Sequence, residues 1–149
     1  MSRLSSTSRY RACYWGRGDR YTFLVAGAQS NRAYFIMEGI IPPGGGPPLH
    51  IPHREEECFY LLEGTLGEKK INTTTGDFIQ IPRGTVHNFQ NLGIATARLL
   101  LFFSPAGMGK YFEEAIEPIQ DRFAAIPPIT QAVIALLVGA GPKHGMELV

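Results

Sequence analysis

His50-Ile51-Pro52-His53-Arg54-Glu55-Glu56-Glu57-Cys58-Phe59-Tyr60-Leu61-Leu62-Glu63-Gly64, and then Gly76-Asp77-Phe78-Ile79-Gln80-Ile81-Pro82-Arg83-Gly84-Thr85-Val86-His87, decide the architecture of this chain. Short β-prone runs are separated by Gly and Pro, and histidines stand where two of the runs begin. Strand signals fall on Leu49–Ile51, Glu57–Glu63, Thr65–Ile71, Phe78–Ile81, Val86–Gln90 and Thr96–Phe103. Upstream, Tyr21–Ala26 and Ala33–Ile41 read as two more strands joined by a turn at Gly27 and Gln29-Ser30-Asn31. Between them and His50 lies Pro42-Pro43-Gly44-Gly45-Gly46-Pro47-Pro48, which neither a helix nor a central strand accommodates. About eight short strands at this spacing predict an all-β sandwich or barrel.

The pattern changes after Phe103. Ser104-Pro105 is a helix start, and Met108, Phe112, Ala115 and Ile116 recur at helical spacing until Pro118. A second helix is expected from Ile129 to Val138, with Ile129, Val133, Leu136 and Leu137 on one stripe and Gly139 and Gly141 ending it. The organisation expected is an N-terminal extension over 1–20, a β-barrel over 21–104, and a helical segment over 105–149 that packs on the barrel or on a partner subunit.

Composition narrows the function classes. The 149 residues are 44% hydrophobic and 18% charged, which is globular, and the net charge is +1. No Lys/Arg stripe recommends nucleic acid or an anionic membrane. The longest apolar stretch, Ala132–Ala140, is too short to cross a bilayer. Cys13 and Cys58 are far apart and fit no CxxC pattern, and residues 1–11 lack the apolar core of a secretion signal. A cytoplasmic protein with reduced thiols is expected.

Chemistry concentrates in His50, His53, Glu57 and His87. Imidazole nitrogens and a carboxylate oxygen pointing into one barrel suit a divalent first-row metal. Strand parity places Phe59 and Leu61 on the face of Glu57, and Phe89 on that of His87. With Phe35 and Met37 (or their neighbours Tyr34 and Ile36) from an adjacent strand, they form the expected pocket wall, apolar and aromatic around a few polar groups. Cys58 follows Glu57 and so faces the other side. His144 stands alone.

These residues resemble the two signatures of the cupin superfamily. The first reads Gly, five residues, His-x-His, three or four residues, Glu, six residues, Gly; Gly44, His50, Glu57 and Gly64 fall on it. The second reads Gly, five residues, Pro-x-Gly, two residues, His, three residues, Asn; Gly76, Pro82, Gly84, His87 and Asn91 match throughout. The surrounding text and the SPAGM stretch look similar to small single-domain cupins related to quercetin dioxygenase. The resemblance implies a double-stranded β-helix, or jelly roll, with C-terminal α-helices, and metal ligands at His50, Glu57 and His87. It also implies a homodimer with a small-molecule ligand and no nucleic acid or membrane partner.

The pattern breaks at Pro52, which stands where the family has its second histidine. Two outcomes stay open. Either His50, Glu57 and His87 bind Fe, Mn, Ni, Co, Cu or Zn as two histidines and a carboxylate, or the site is degraded and the metal is absent. A bulge at Pro52 would turn His53 inward as a fourth ligand, against strand parity. The leading function is a metal-dependent enzyme, of dioxygenase or isomerase/cyclase type, on a small aromatic or hydrophobic substrate, with Glu57 as ligand or catalytic base. The alternative is a non-catalytic small-ligand-binding barrel.

Overall fold

The computed structural model describes residues 11–15, 18–68, 71–115 and 130–149. Most of the N-terminal tail, Ile116, the helix stop at Pro118 and the helix start at Ile129 lie outside them. In chain order the described strands are β1 (Arg11–Trp15), β2 (Asp19–Val25), β3 (Phe35–Ile41), β4 (His50–Pro52), β5 (Glu56–Glu63), β6 (Thr65–Glu68), β7 (Ile71–Thr74), β8 (Phe78–Ile81), β9 (Ala97–Ser104) and β10 (Met146–Leu148). Helices α1 (Met108–Ala115) and α2 (Gln131–Ala140) lie between β9 and β10. Among the described residues, no helix is long and apolar enough to cross a membrane.

An antiparallel sheet of order β1-β2-β3-β9-β5-β8 carries the main face. Its inner residues alternate as a pleated strand requires: Phe35, Met37 and Ile41 on β3, Glu57, Phe59 and Leu61 on β5, and Leu99, Leu101 and Phe103 on β9 are all buried. Arg11–Trp15, within the stretch read as an extension, pairs with β2 as an edge strand.

The opposite wall is less regular. Pairs β10-β4 and β6-β7 are joined by the segment around residues 87–90, where His87 bridges His50 and Gln90 bridges Gly67. Val86–Gln90, expected as a strand, is therefore an extended connector. Its partner changes from β4 to β6 within four residues, so neither ladder propagates, yet His87, Phe89 and Asn91 still point inward. The last strand, β10, carried no sequence signal; it pairs with β4, Met146 opposite Pro52.

The helical expectation needs one correction. On α2 the buried residues are Leu137 and Ala140, while Leu136 of the expected stripe is exposed and Gly139 lies inside the helix. Thr130 caps that helix by accepting a hydrogen bond from Val133 N–H. On α1, Met108, Tyr111, Phe112 and Ala115 are buried, and the Phe112 ring packs among Tyr21, Phe23, Phe35 and Phe103. The Tyr111 hydroxyl donates to the Leu137 carbonyl and ties the two helices together.

The Pro/Gly loop that leads to β4 is fixed from inside. Gly46 N–H donates to Asp19 at 2.9 Å and Gly44 N–H to the Asn91 carbonyl at 2.8 Å. Gly46 has φ +132°, and a β-carbon there would collide with the Phe89 carbonyl oxygen. Gly46→Ala is expected to lower unfolding free energy by roughly 2–4 kcal/mol in urea melts.

Burial pushes the Asp19 carboxyl up to about 6, partly opposed by the hydrogen bonds from Gly46 N–H and the Tyr21 hydroxyl. A carboxyl raised in the folded state favours folding most when protonated, so its contribution is complete below about 4 and falls as pH climbs towards 6. Asp19→Asn is expected to remove this slope, on the order of 3 kcal/mol, from stability measured across that window.

Candidate functional site

His50 opens β4, Glu57 lies near the start of β5 and His87 lies in the connector. Two contacts bring them together. His50 N–H donates to the His87 carbonyl and His87 N–H to the His50 carbonyl, each at 3.0 Å. Residues paired this way in an antiparallel bridge project their side chains to the same face. The imidazole centroids are 4.2 Å apart. Gly84, in a left-handed conformation, ends a turn from Pro82 and donates its N–H to the Pro52 carbonyl, which aims the chain back at β4.

All three side chains are buried, and their ligand atoms lie within 4.8 Å of one another. Glu57 Oε2 is 2.8 Å from His87 Nε2 and 3.8 Å from His50 Nε2. His50 Nδ1 is 2.8 Å from the Pro48 carbonyl and His87 Nδ1 is 3.0 Å from that of Thr85. A carbonyl only accepts, so each Nδ1 carries a hydrogen, and each ring turns its Nε2 towards the carboxylate. Two imidazole nitrogens and a carboxylate oxygen this close share a positive charge, carried either by protons on Nε2 or by a metal ion that replaces them. Metal bonds of about 2.0–2.2 Å bring neighbouring ligand atoms to about 3–4 Å, and backbone carbonyls commonly orient ligating imidazoles. The donor set fits a divalent ion held by two histidines and one carboxylate.

Electrostatics agree. Burial alone would raise the Glu57 carboxyl, but His50 and His87 more than reverse this and hold it well below the usual carboxylate range. Glu57 is therefore an anion at neutral pH.

His53 is not brought to this cluster. Its Nε2 lies 2.8 Å from Glu147 Oε2, with half of the side chain exposed. No bulge forms at Pro52: β4 keeps its register against β10, and His53 N–H donates to the Gly145 carbonyl, so the next residue faces outward. Cys58 is half-buried, and burial together with Glu57 and Glu56 pushes its thiol up, so it stays protonated. His144 pairs with Glu114 at 2.7 Å.

Of the expected wall, Met37 and Phe89 border the space beside His50 and Glu57. Phe59 and Leu61 are packed core, and Phe35 borders a different cavity. Sequence reading missed Phe103, Phe112 and Met146, which close the space from β9, α1 and β10. Phe112 carried a helical signal but none that placed the helix over the barrel. The chamber holds about 20 Å³, enough for a water or an ion but not for an organic molecule.

A profile described as Cupin domain matches residues 37–103. A germin-like protein of Oryza sativa subsp. japonica is 34% identical over 102 residues, 62% of this chain and 45% of that protein. An uncharacterised protein of Methanocaldococcus jannaschii is 36% identical over 69 residues, 44% of this chain and 55% of that protein. The chain thus spans about half the length of these curated relatives. Among solved structures, the polyketide cyclase RemF from Streptomyces resistomycificus aligns with TM-score 0.58 at 22% identity, covering 84% of this chain and 87% of that one. An RmlC-like cupin from Shewanella frigidimarina aligns with TM-score 0.56 at 20% identity, covering 71% and 93%. At this identity the structures speak for the fold, a jelly-roll barrel.

Pro52 is buried on the same side of β4 as His50. Pro52→His is expected to add a donor near the centre and tighten Co²⁺ or Zn²⁺ binding by about tenfold or more in competition titrations. Unchanged affinity in a folded variant would mean that position 52 lies out of reach of the ion.

Proposed function

We propose that this chain, which carries a cupin domain over residues 37–103, binds a divalent metal through His50, Glu57 and His87 and supports dioxygenase-type chemistry on a small organic molecule. One observation carries this reading: two imidazoles with Nδ1 tied to backbone carbonyls aim their Nε2 atoms at one buried carboxylate. When bound, the ion supplies Lewis acidity and open coordination positions.

The chain's own residues supply the rest. The Pro48 and Thr85 carbonyls fix the orientation of both rings, so the site is preorganised. Pro52 contributes no donor, which leaves a three-ligand set with room for exogenous ligands. Glu57 serves as ligand and not as base, because the oxygen it presents faces both imidazoles. Phe89, Phe103 and Phe112 line the centre with apolar rings, which strengthens electrostatic interactions there. A substrate larger than water requires the chamber to widen.

That small chamber favours a second reading, a metal-free or structural centre in a non-catalytic binding barrel. Elemental analysis of protein purified without chelator separates the two. About one ion per chain is expected, and an ion at 100-fold its Kd raises stability by about 2.7 kcal/mol. Glu57→Gln should weaken binding by about 100-fold or more and abolish that thermal shift. Oxygen uptake with a polyphenol such as quercetin, lost in His87→Ala, supports the enzyme. Protein that neither contains metal nor accepts it on reconstitution supports the binding barrel.

A further inference from the structure

A second cavity, of about 540 Å³, lies where β2 and β9 end and β3 and β5 begin, at one rim of the six-stranded sheet. It shares no lining residue with the chamber at His50. Phe35 stands between them, its ring centroid 5.9 Å from Phe103 and 6.3 Å from Phe112.

The lining contains Glu55, which is only 2% exposed and whose Oε2 is buried with no hydrogen-bond partner. Buried carboxylate oxygens are rarely left without a donor, because desolvation costs more than an unmade bond returns. Gly107 lies across from it, where a β-carbon would come within 2.5 Å of Glu55 Oε1. Ala26, Gly27 and Ala106 keep the wall short. At the exposed rim stand Arg32 and Lys110, neither in an ion pair among the described residues, and Glu113. Arg54, also in the lining, donates to the Lys143 carbonyl. Three cationic side chains therefore line a cavity with two carboxylates, one of them at depth with one oxygen lacking a donor.

We propose that this cavity binds a small organic acid that also carries an ammonium or hydroxyl group. The donor end meets Glu55 Oε2, and the acid end lies against Arg32 and Lys110. The volume is in the range of ordinary small-ligand sites. The site stands apart from the metal centre and does not depend on its occupancy.

The test uses the full chain and backbone amide shifts of Gly107 and Gly109. The probes are ω-amino acids from glycine to 6-aminohexanoate, with hydroxy acids and plain carboxylic acids of matching length. At least one amino or hydroxy acid should bind saturably and about tenfold more tightly than its plain counterpart. Glu55→Gln, which keeps the side-chain size, should erase that preference while leaving metal stoichiometry unchanged. The surface variant Arg32→Ala with Lys110→Ala should weaken amino, hydroxy and plain acids alike. The proposal is overturned by absence of saturable binding, by equal affinity for the plain acids, or by a preference that persists in Glu55→Gln. Shifts that map to His87 in place of Gly107 would also overturn it and would bear on the metal centre alone.

Discussion

The structure depends on the reciprocal backbone pairing of His50 with His87. Each donates to the other's carbonyl at 3.0 Å, which places the two imidazoles side by side on the inner face. Residues distant in sequence serve this pair. Asp19 and Asn91 hold the Pro/Gly loop that delivers His50, and Asn91 also donates to the Ile41 and Ala95 carbonyls. Gly84 closes the turn that delivers His87 and locks it to Pro52.

Burying two imidazoles against a carboxylate sets the chemistry. The Nδ1 atoms are committed to backbone carbonyls, so the Nε2 atoms converge on Glu57, where a proton or a metal ion balances the carboxylate. The same barrel spends its remaining volume on aromatic packing. Phe103 and Phe112 seal the centre from one side, and Phe35 continues that layer to the rim where the larger cavity opens. One protein therefore presents two unlike environments: a small chamber beside the His50–Glu57–His87 cluster that suits a cation, and a roomy charged cavity.

Alternation made much of the fold legible. Parity puts 57, 59 and 61 on one face and 89 with 87, and all are buried, while it leaves 35 and 37 open against 34 and 36, a choice the structure makes by burying Phe35 and Met37. Left-handed φ at Gly64, Gly76 and Gly84 matches the turns read from those glycines. Parity says only that a side chain faces the core, however, and not whether it borders a void. That is why Phe59 and Leu61 proved to be packing, while Met37 and Phe89 border the chamber. Glu55 carried no signal, because one Glu among three consecutive ones looks like a solvated run until the sheet rim closes over it.

By itself the sequence determined the all-β architecture and its turns, which follow from local periodicity and backbone preference, while His50, Glu57 and His87 stood out through the resemblance to the cupin signatures. Only the tertiary structure decided the fate of His53 and the size of the chamber. Both rest on β10, a three-residue strand at the far end of the chain. It holds β4 in register at Pro52, keeps His53 outward and supplies Met146 to close the space. Pairing across more than ninety residues leaves no periodic trace in the sequence.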